Sequence, residues 1–137
     1  MSKNDRFLRE LFEAAQKAQA NAYAPYSRFK VGAALRTPGG AIFSGANVEN
    51  AAYPQGQCAE ASAIAAMASA GERRIAEILV IGDGEALVTP CGGCRQRIRE
   101  FASDATIVHI AGPNSVRASF TLGELLPYSF GPSHLAR

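Results

Sequence analysis

Apolar side chains in the first third of the chain follow two different periods. Between Asn4 and Ala20 they recur three and four residues apart with charged residues between them, which predicts an amphipathic helix. From Phe29 to Leu35 they alternate with polar or small residues, which predicts a strand. A Thr-Pro-Gly-Gly turn at 37–40 leads into the stretch Ala41–Ala46, so the two stretches predict a β-hairpin.

The later apolar stretches are less interrupted. Ala59–Ala70 is nearly all alanine and predicts a buried helix. Ile78–Ile81 and Thr106–Ile110 predict strands that are covered on both faces. A third helix is expected from Pro90 to about Phe101, and Thr121–Leu126 predicts a short turn of helix. Because strand, helix and strand follow one another, the sheet must be partly parallel with helices on its faces. We therefore predict a three-layer α/β/α fold.

The composition predicts one domain over residues 1–137 and excludes several classes of protein. Apolar residues make up 47% and charged residues 19% of the chain, as in ordinary globular proteins. The net charge is +2 without a basic tract, so we expect no nucleic-acid partner. No apolar run approaches the roughly 18 residues of a membrane span, and we see no secretory signal. Three cysteines cannot all pair with one another, which favours reduced thiols and a cytoplasmic location.

The three cysteines lie in two short segments that predict a metal site. Cys91 and Cys94 have the spacing of metal ligands, and Cys58 supplies a third sulfur. Three protein ligands leave zinc one position for water, and Glu60 is placed to act on that water. Both segments are expected at helix starts, where the helix dipole stabilises thiolates.

Two other interpretations of the cysteines compete with a catalytic zinc site. A structural zinc site needs a fourth ligand, for which His109 and His134 are the available candidates. His109 is more readily explained as a hydrogen-bonded core histidine. A redox pair of Cys91 and Cys94 would leave Cys58 and Glu60 unexplained.

Several motifs together resemble the cytidine deaminases, in particular their small homotetrameric type. The zinc motif is Cys-Ala-Glu at 58–60 followed by Pro-Cys-Gly-Gly-Cys-Arg-Gln at 90–96. The similarity extends to Tyr-Ser-Arg-Phe-Lys-Val-Gly-Ala-Ala at 26–34, Asn-Val-Glu-Asn at 47–50 and Tyr-Pro at 53–54. We expect the resemblance to cover nearly the whole chain.

The resemblance implies a mixed five-stranded sheet and a known chemistry. Cys58, Cys91 and Cys94 would hold one Zn²⁺ per subunit, and a hydroxide formed on it would attack C4 of cytosine. Glu60 would take the water's proton, deliver it to N3 and help ammonia leave. The products would be uridine and 2′-deoxyuridine, as in pyrimidine salvage.

The resemblance also implies how a nucleoside is bound in a homotetramer with shared active sites. Asn47 and Glu49 would hydrogen-bond the ribose, Phe29 would stack on the base, and the Ala59 N–H would meet O2. Tyr53 and Phe130 would reach the pocket of a neighbouring subunit. From the residues alone, Phe29 and Phe130 are equally well explained by packing, and Asn47 and Glu49 by loop structure.

One position departs from the family pattern. Many members of this type carry arginine directly after the catalytic glutamate, where it donates to the thiolates, but this chain has Ala61. We expect another donor to substitute, with Gln57 and Arg95 as candidates.

Two further functions stay open, namely deamination of a nucleoside antibiotic of the blasticidin type and a non-catalytic zinc-stabilised module.

Overall fold

Four helices and five strands form the part of the chain, residues 2–135, that the computed structural model describes. In chain order they are α1 (Lys3–Ala20), β1 (Val31–Arg36), β2 (Ile42–Ala46), α2 (Ala59–Ser69), β3 (Glu77–Gly82), α3 (Gly92–Phe101), β4 (Ile107–Ala111), β5 (Val116–Thr121) and α4 (Leu122–Leu125). The predicted elements agree within about two residues. Phe29, predicted to begin the first strand, lies two residues before β1.

The strands form one mixed sheet in the order β2-β1-β3-β4-β5. β1 pairs antiparallel with both β2 and β3, whereas β3 and β4 are parallel and α3 connects them. β5 pairs antiparallel with β4 at the edge. The hydrophobic pattern had predicted four strands, and the fifth was expected only from the resemblance. Neither face of β5 is fully buried, so its sequence lacks a clear apolar pattern.

Two apolar cores lie on opposite faces of the sheet and confirm the three-layer α/β/α fold. On one face, alternate residues of β1 and β3 pack against α2 and α3, with Met67 and Ile98 fully buried between the layers. On the other face, Leu11 and Ala15 of α1 pack against Leu79 and other strand residues. Ser2 caps α1, since its Oγ accepts a hydrogen bond from the Asp5 N–H at 3.1 Å.

Glycines at two strand positions allow the helices to approach the sheet closely. A Cβ at Gly45 of β2 would lie 2.5 Å from the backbone nitrogen of Ala63 in α2. A Cβ at Gly32 of β1 would lie 2.1 Å from the carbonyl oxygen of Ala15 in α1. These distances are too short for any side chain, so the two glycines fix the depth at which α1 and α2 sit. None of the helices described in residues 2–135 is long and apolar enough to cross a membrane.

Candidate active site

The three cysteines meet where α2 and α3 begin. Cys58 is the N-cap of α2 and Cys91 is the N-cap of α3, both with extended backbone angles. Cys94 lies in the first turn of α3 and is fully buried. The three sulfur atoms lie within 4.8 Å of one another. One ion can therefore reach all three, as the sequence predicted.

The environment of the three thiols favours a bound cation. Burial raises the pKa of the Cys94 thiol, and the nearby charges of Glu60, Cys58 and Cys91 raise it further. Burial likewise raises the pKa of Cys58. The pKa of Cys91 is lowered, because donation from Cys94 and Cys58 outweighs the effect of burial. Three thiolates cannot accumulate here without a compensating cation, and a set of three sulfur donors suits Zn²⁺.

Glu60 lies in the first turn of α2 and is 4% exposed. Burial raises the pKa of its carboxyl group, while its own backbone N–H and the positive charge of Arg97 act in the opposite direction. A carboxyl group with a raised pKa accepts a proton more readily than an ordinary carboxylate and can return it. Glu60 is thus suited to proton transfer beside the cysteines.

A cavity of about 190 Å³ opens in front of the sulfurs and Glu60. Its polar lining includes Asn47, Thr89 and Cys91, and its apolar walls are formed by Val31, Val80, Val88 and Ala59. A flat ring with a few polar substituents fits such a lining. The sequence had not singled out Val88 and Thr89, which the loop before α3 brings to the site.

The side chain of Asn47 is hydrogen-bonded to the backbone of two residues near the cavity wall. Its Oδ1 accepts a hydrogen bond from the Val31 N–H at 2.9 Å, and its Nδ2 donates to the Phe29 carbonyl at 2.8 Å. The side chain therefore fixes the start of β1 from across the cavity.

Glu49, two residues after Asn47, fixes the loop that contains Tyr26 and Ser27. Its carboxylate accepts hydrogen bonds from the N–H groups of Tyr26 and Ser27, each at 3.0 Å, and from the Ser27 hydroxyl. These donors lower the pKa of Glu49, with the Ser27 hydroxyl contributing most. Glu49 lines a second cavity of about 390 Å³, together with Tyr53 and Asn50. Within one chain, Glu49 and Tyr53 are thus separate from the cavity that contains Glu60.

The two phenylalanines predicted to bind substrate lie at the surface of the single chain. Phe29 is 36% exposed and Phe130 is 56% exposed. Phe130 stacks on His134 with ring centroids 5.1 Å apart. Neither phenylalanine is among the described residues that line the two cavities.

Gln57 and Arg95, the expected substitutes for the missing arginine, donate elsewhere. Gln57 Nε2 points to the Ser62 hydroxyl at 3.4 Å. Arg95 donates to the Pro90 carbonyl at 2.7 Å, with two more oxygen acceptors, Thr89 Oγ1 and the Leu125 carbonyl. The expectation was wrong for both residues, because each side chain is aimed at oxygen atoms.

Arg97 is the basic residue that sequence reasoning missed. Its Nη1 lies 3.8 Å from Cys94 Sγ. Residues three apart share one face of a helix, so the position of Arg97 relative to Cys94 would have been a sufficient signal.

The histidines take no part in the site. His109 is hydrogen-bonded to Ser119 at 2.7 Å and to Glu77 at 3.0 Å. His134 is hydrogen-bonded within its own turn to Gly131. Among residues 2–135, the side chains placed together to hold one metal ion are therefore the three cysteines. A zinc site with three protein ligands is typical of catalytic rather than structural zinc.

Three sulfur atoms placed to hold one metal ion and a buried carboxyl group, on a mixed α/β/α fold, define the class of zinc-dependent hydrolytic enzymes. The protein family described as "Cytidine and deoxycytidylate deaminase zinc-binding region" matches residues 3–110 of this chain. The chain belongs to this family of deaminases, and zinc is its cofactor.

Relatives and solved structures agree with this assignment. The chain is 39% identical over 127 residues to the cytidine deaminase of Sporosarcina psychrophila, covering 93% of each protein. It is 41% identical over 120 residues to that of Halalkalibacterium halodurans, covering 88% of this chain and 91% of the relative. The crystal structure of cytidine deaminase from Burkholderia pseudomallei superposes with a TM-score of 0.84 at 41% identity, over 95% of this chain and 100% of that chain.

Proposed function

We propose that this enzyme catalyses the hydrolytic deamination of cytidine and 2′-deoxycytidine to uridine and 2′-deoxyuridine, releasing ammonia in pyrimidine salvage. The observation that carries the proposal is the shared cavity. Glu60, Cys58 and Cys91 line the same space of about 190 Å³ as the polar side chain of Asn47. A proton-transfer group, a metal site and a hydrogen-bonding side chain thus face one small ligand.

The reaction replaces the C4–NH₂ group of cytosine with a carbonyl oxygen taken from water. A zinc ion held by Cys58, Cys91 and Cys94 would supply Lewis acidity that lowers the pKa of water. Glu60 accepts a proton from that water and passes it to ring N3. A second proton passes through Glu60 to the amino group, so that the C4–N bond breaks and ammonia leaves. The raised pKa of Glu60, caused by burial, suits a group that carries protons in both directions.

We further propose specific contacts for the nucleoside. Asn47 and Glu49 bind the ribose hydroxyls, the Ala59 N–H binds O2 and Phe29 stacks on the base. The fully buried Ala59 opens α2, so its N–H is one of the free donors at a helix start. Both Asn47 and Glu49 already accept hydrogen bonds from backbone N–H groups, and that preorganisation supports a role in orienting a ligand.

The assembly that best completes the site is a homotetramer with shared active sites. Tyr53 is 76% exposed and lines an open cavity beside Glu49, while Phe130 projects from the tail. The outer face of α2 presents Ala65 and Ser69 to the surface, which suits close packing against another subunit. A neighbouring subunit placed there would bring its own Tyr53 and Phe130 toward the substrate pocket.

The three free cysteines of the site require a reducing compartment, and we propose the cytoplasm.

The substrate is a free nucleoside rather than a polynucleotide, since the net charge is only +2 and the sequence contains no basic tract for a phosphate backbone.

An absorbance assay with cytidine, paired with metal analysis of the same preparation, tests the function. We expect one zinc per subunit and turnover of cytidine and 2′-deoxycytidine. Turnover of a blasticidin-type nucleoside alone would assign the antibiotic as substrate. Zinc without turnover of any cytosine nucleoside would leave a zinc-stabilised module, and reversible oxidation of Cys91 and Cys94 in metal-free protein would favour a redox function.

A further inference from the structure

The metal site holds more negative than positive charge. Three thiolates and one Zn²⁺ sum to a net charge of −1, and Glu60 adds a further carboxyl group within the same cavity. The two helix starts at Cys58 and Cys91 offset part of this charge through their dipoles. Position 61, next to Glu60, holds alanine and adds no cation. A nearby positive side chain would therefore stabilise the site.

Arg97 is the basic side chain that reaches a ligand sulfur among residues 2–135. Its Nη1 is 3.8 Å from Cys94 Sγ, within the range of a hydrogen bond to sulfur. Cys94 itself is fully buried, so few other donors have access to its sulfur. Arg97 and Ala61 lie on different helices. Arg97 is in the second turn of α3, and Ala61 is in α2.

The chain leaves room for this guanidinium group. A Cβ built at Gly93 would lie 3.4 Å from Arg97 Nη1 and 4.0 Å from Cys91 Sγ. A Cβ at Gly93 would thus be in van der Waals contact with the guanidinium, and a side chain larger than alanine would extend into the space beside it. Gly93 and Arg97 both lie on the exposed side of α3.

We propose that Arg97 is a positioning residue that holds the Cys94 thiolate and supplies the positive charge that position 61 lacks. A guanidinium donates a charge-assisted hydrogen bond, withdraws electron density from the sulfur and fixes its direction toward the metal. The inference rests on the zinc site of the proposed function, but it concerns metal retention rather than turnover.

Zinc transfer from the intact enzyme to a chromogenic chelator tests the proposal. Loss of a hydrogen bond to a metal ligand typically costs 10–100-fold in metal affinity. We expect Arg97→Ala to weaken zinc affinity by about that factor. Arg9→Ala is the matched control, since it removes an exposed arginine from α1 on the other face of the sheet. Equal zinc retention in Arg97→Ala and the wild type would overturn the proposal.

Cobalt substitution gives a second readout that a purely structural role would not change. Without a donor, the Cys94 thiolate becomes richer in electrons, so the thiolate-to-cobalt charge-transfer band should move to longer wavelength in Arg97→Ala. An unchanged band would contradict the role of Arg97.

A rescue experiment completes the test and remains informative if the single variant is unstable. Adding Ala61→Arg to Arg97→Ala places a positive side chain on α2 instead of α3. We expect the double variant to regain most of the zinc affinity that Arg97→Ala loses. No recovery would overturn the idea that the two positions serve the same purpose. If the wild-type enzyme itself fails to bind zinc, the proposed function fails. If the wild type binds zinc and only the expected loss of zinc in Arg97→Ala is missing, the proposal for Arg97 fails and the proposed function stands.

Discussion

Asn47 Oδ1 lies 2.9 Å from the backbone nitrogen of Val31, and this contact joins the loop before α2 to the first strand. The same side chain donates to the Phe29 carbonyl at 2.8 Å. One amide therefore positions the start of β1 and the residue proposed to stack on the base. Kinetics separates the role of Asn47 in the cavity from its role in the loop.

We expect Asn47→Ala to raise KM more than it lowers kcat. The proposed hydrogen bonds from Asn47 to the ribose, of about 0.5–1.5 kcal/mol each, would be lost, and KM should rise roughly tenfold, because 1.4 kcal/mol corresponds to a factor of ten. Zinc content should stay at one per subunit, since Asn47 is not a ligand. Steady-state kinetics and metal analysis check this. Asn114→Ala, in the exposed turn before β5, is the control. An unchanged KM would remove Asn47 from substrate binding.

Glu60→Gln separates metal binding from proton transfer. Glutamine keeps the size of the side chain but cannot accept the proton, so turnover should fall by about 10²–10⁴-fold or more. Thermal stability should not fall, because burial raises the pKa of Glu60 and so already disfavours its charged form. Zinc content, turnover and melting temperature are compared with Glu13→Gln on the exposed side of α1. Near-normal turnover in Glu60→Gln would rule out the proposed mechanism.

Most of the fold could be predicted from hydrophobic periodicity, and one element could not. The buried run Ile78–Ile81 and the alternation after Phe29 gave clear signals because one or both faces of those strands are covered. The edge strand β5 has neither face fully buried, so selection for apolar residues there is weak. Its place in the sheet follows from tertiary pairing with β4, which local sequence does not contain.

The metal site was predictable and its surroundings were only partly so. The spacing of Cys91 and Cys94, the third cysteine and Glu60 define a set of ligands with a base. Which donors face the sulfurs depends on side-chain directions. Arg95 turns to three oxygen atoms, while Arg97, two residues later on α3, turns to Cys94. Roles for Phe29 and Phe130 depend on subunit contacts and stay predictions.

Gly45 sets the distance between α2 and the sheet, and a side chain there should disturb both stability and the site. In Gly45→Ala the new Cβ would lie 2.5 Å from the Ala63 nitrogen and 2.6 Å from Ser62 Cβ. Such overpacking costs about 1–3 kcal/mol. Because α2 carries Glu60, activity should also fall. Gly39→Ala is the matched control, since nothing lies within 4 Å of its Cβ. Denaturant unfolding and turnover of both variants check this, and equal stability would mean that α2 can shift freely.

A polar network on the sheet, away from the cysteines, links four strands. Glu77 of β3 accepts from Arg36 Nε of β1 at 3.0 Å and is hydrogen-bonded to His109 Nε2 of β4 at 3.0 Å. His109 Nδ1 is in turn 2.7 Å from Ser119 Oγ of β5. The hydrogen bond with His109 is the largest cause of the lowered pKa of Glu77, and Arg36 adds to it.

The lowered pKa of Glu77 makes its contribution to stability depend on pH. The folded protein binds this proton less tightly than the unfolded chain, so the contribution is complete above the unfolded pKa of about 4.3 and is lost as pH falls through the lower folded pKa. We expect Glu77→Gln to reduce the free energy of unfolding by about 1–3 kcal/mol near neutral pH, and the difference from wild type to shrink toward zero in acid. Urea unfolding of both proteins across this pH range measures it, with Glu10→Gln on the exposed surface of α1 as the control. A difference that stays constant with pH would show that Glu77 acts through packing rather than through its charge.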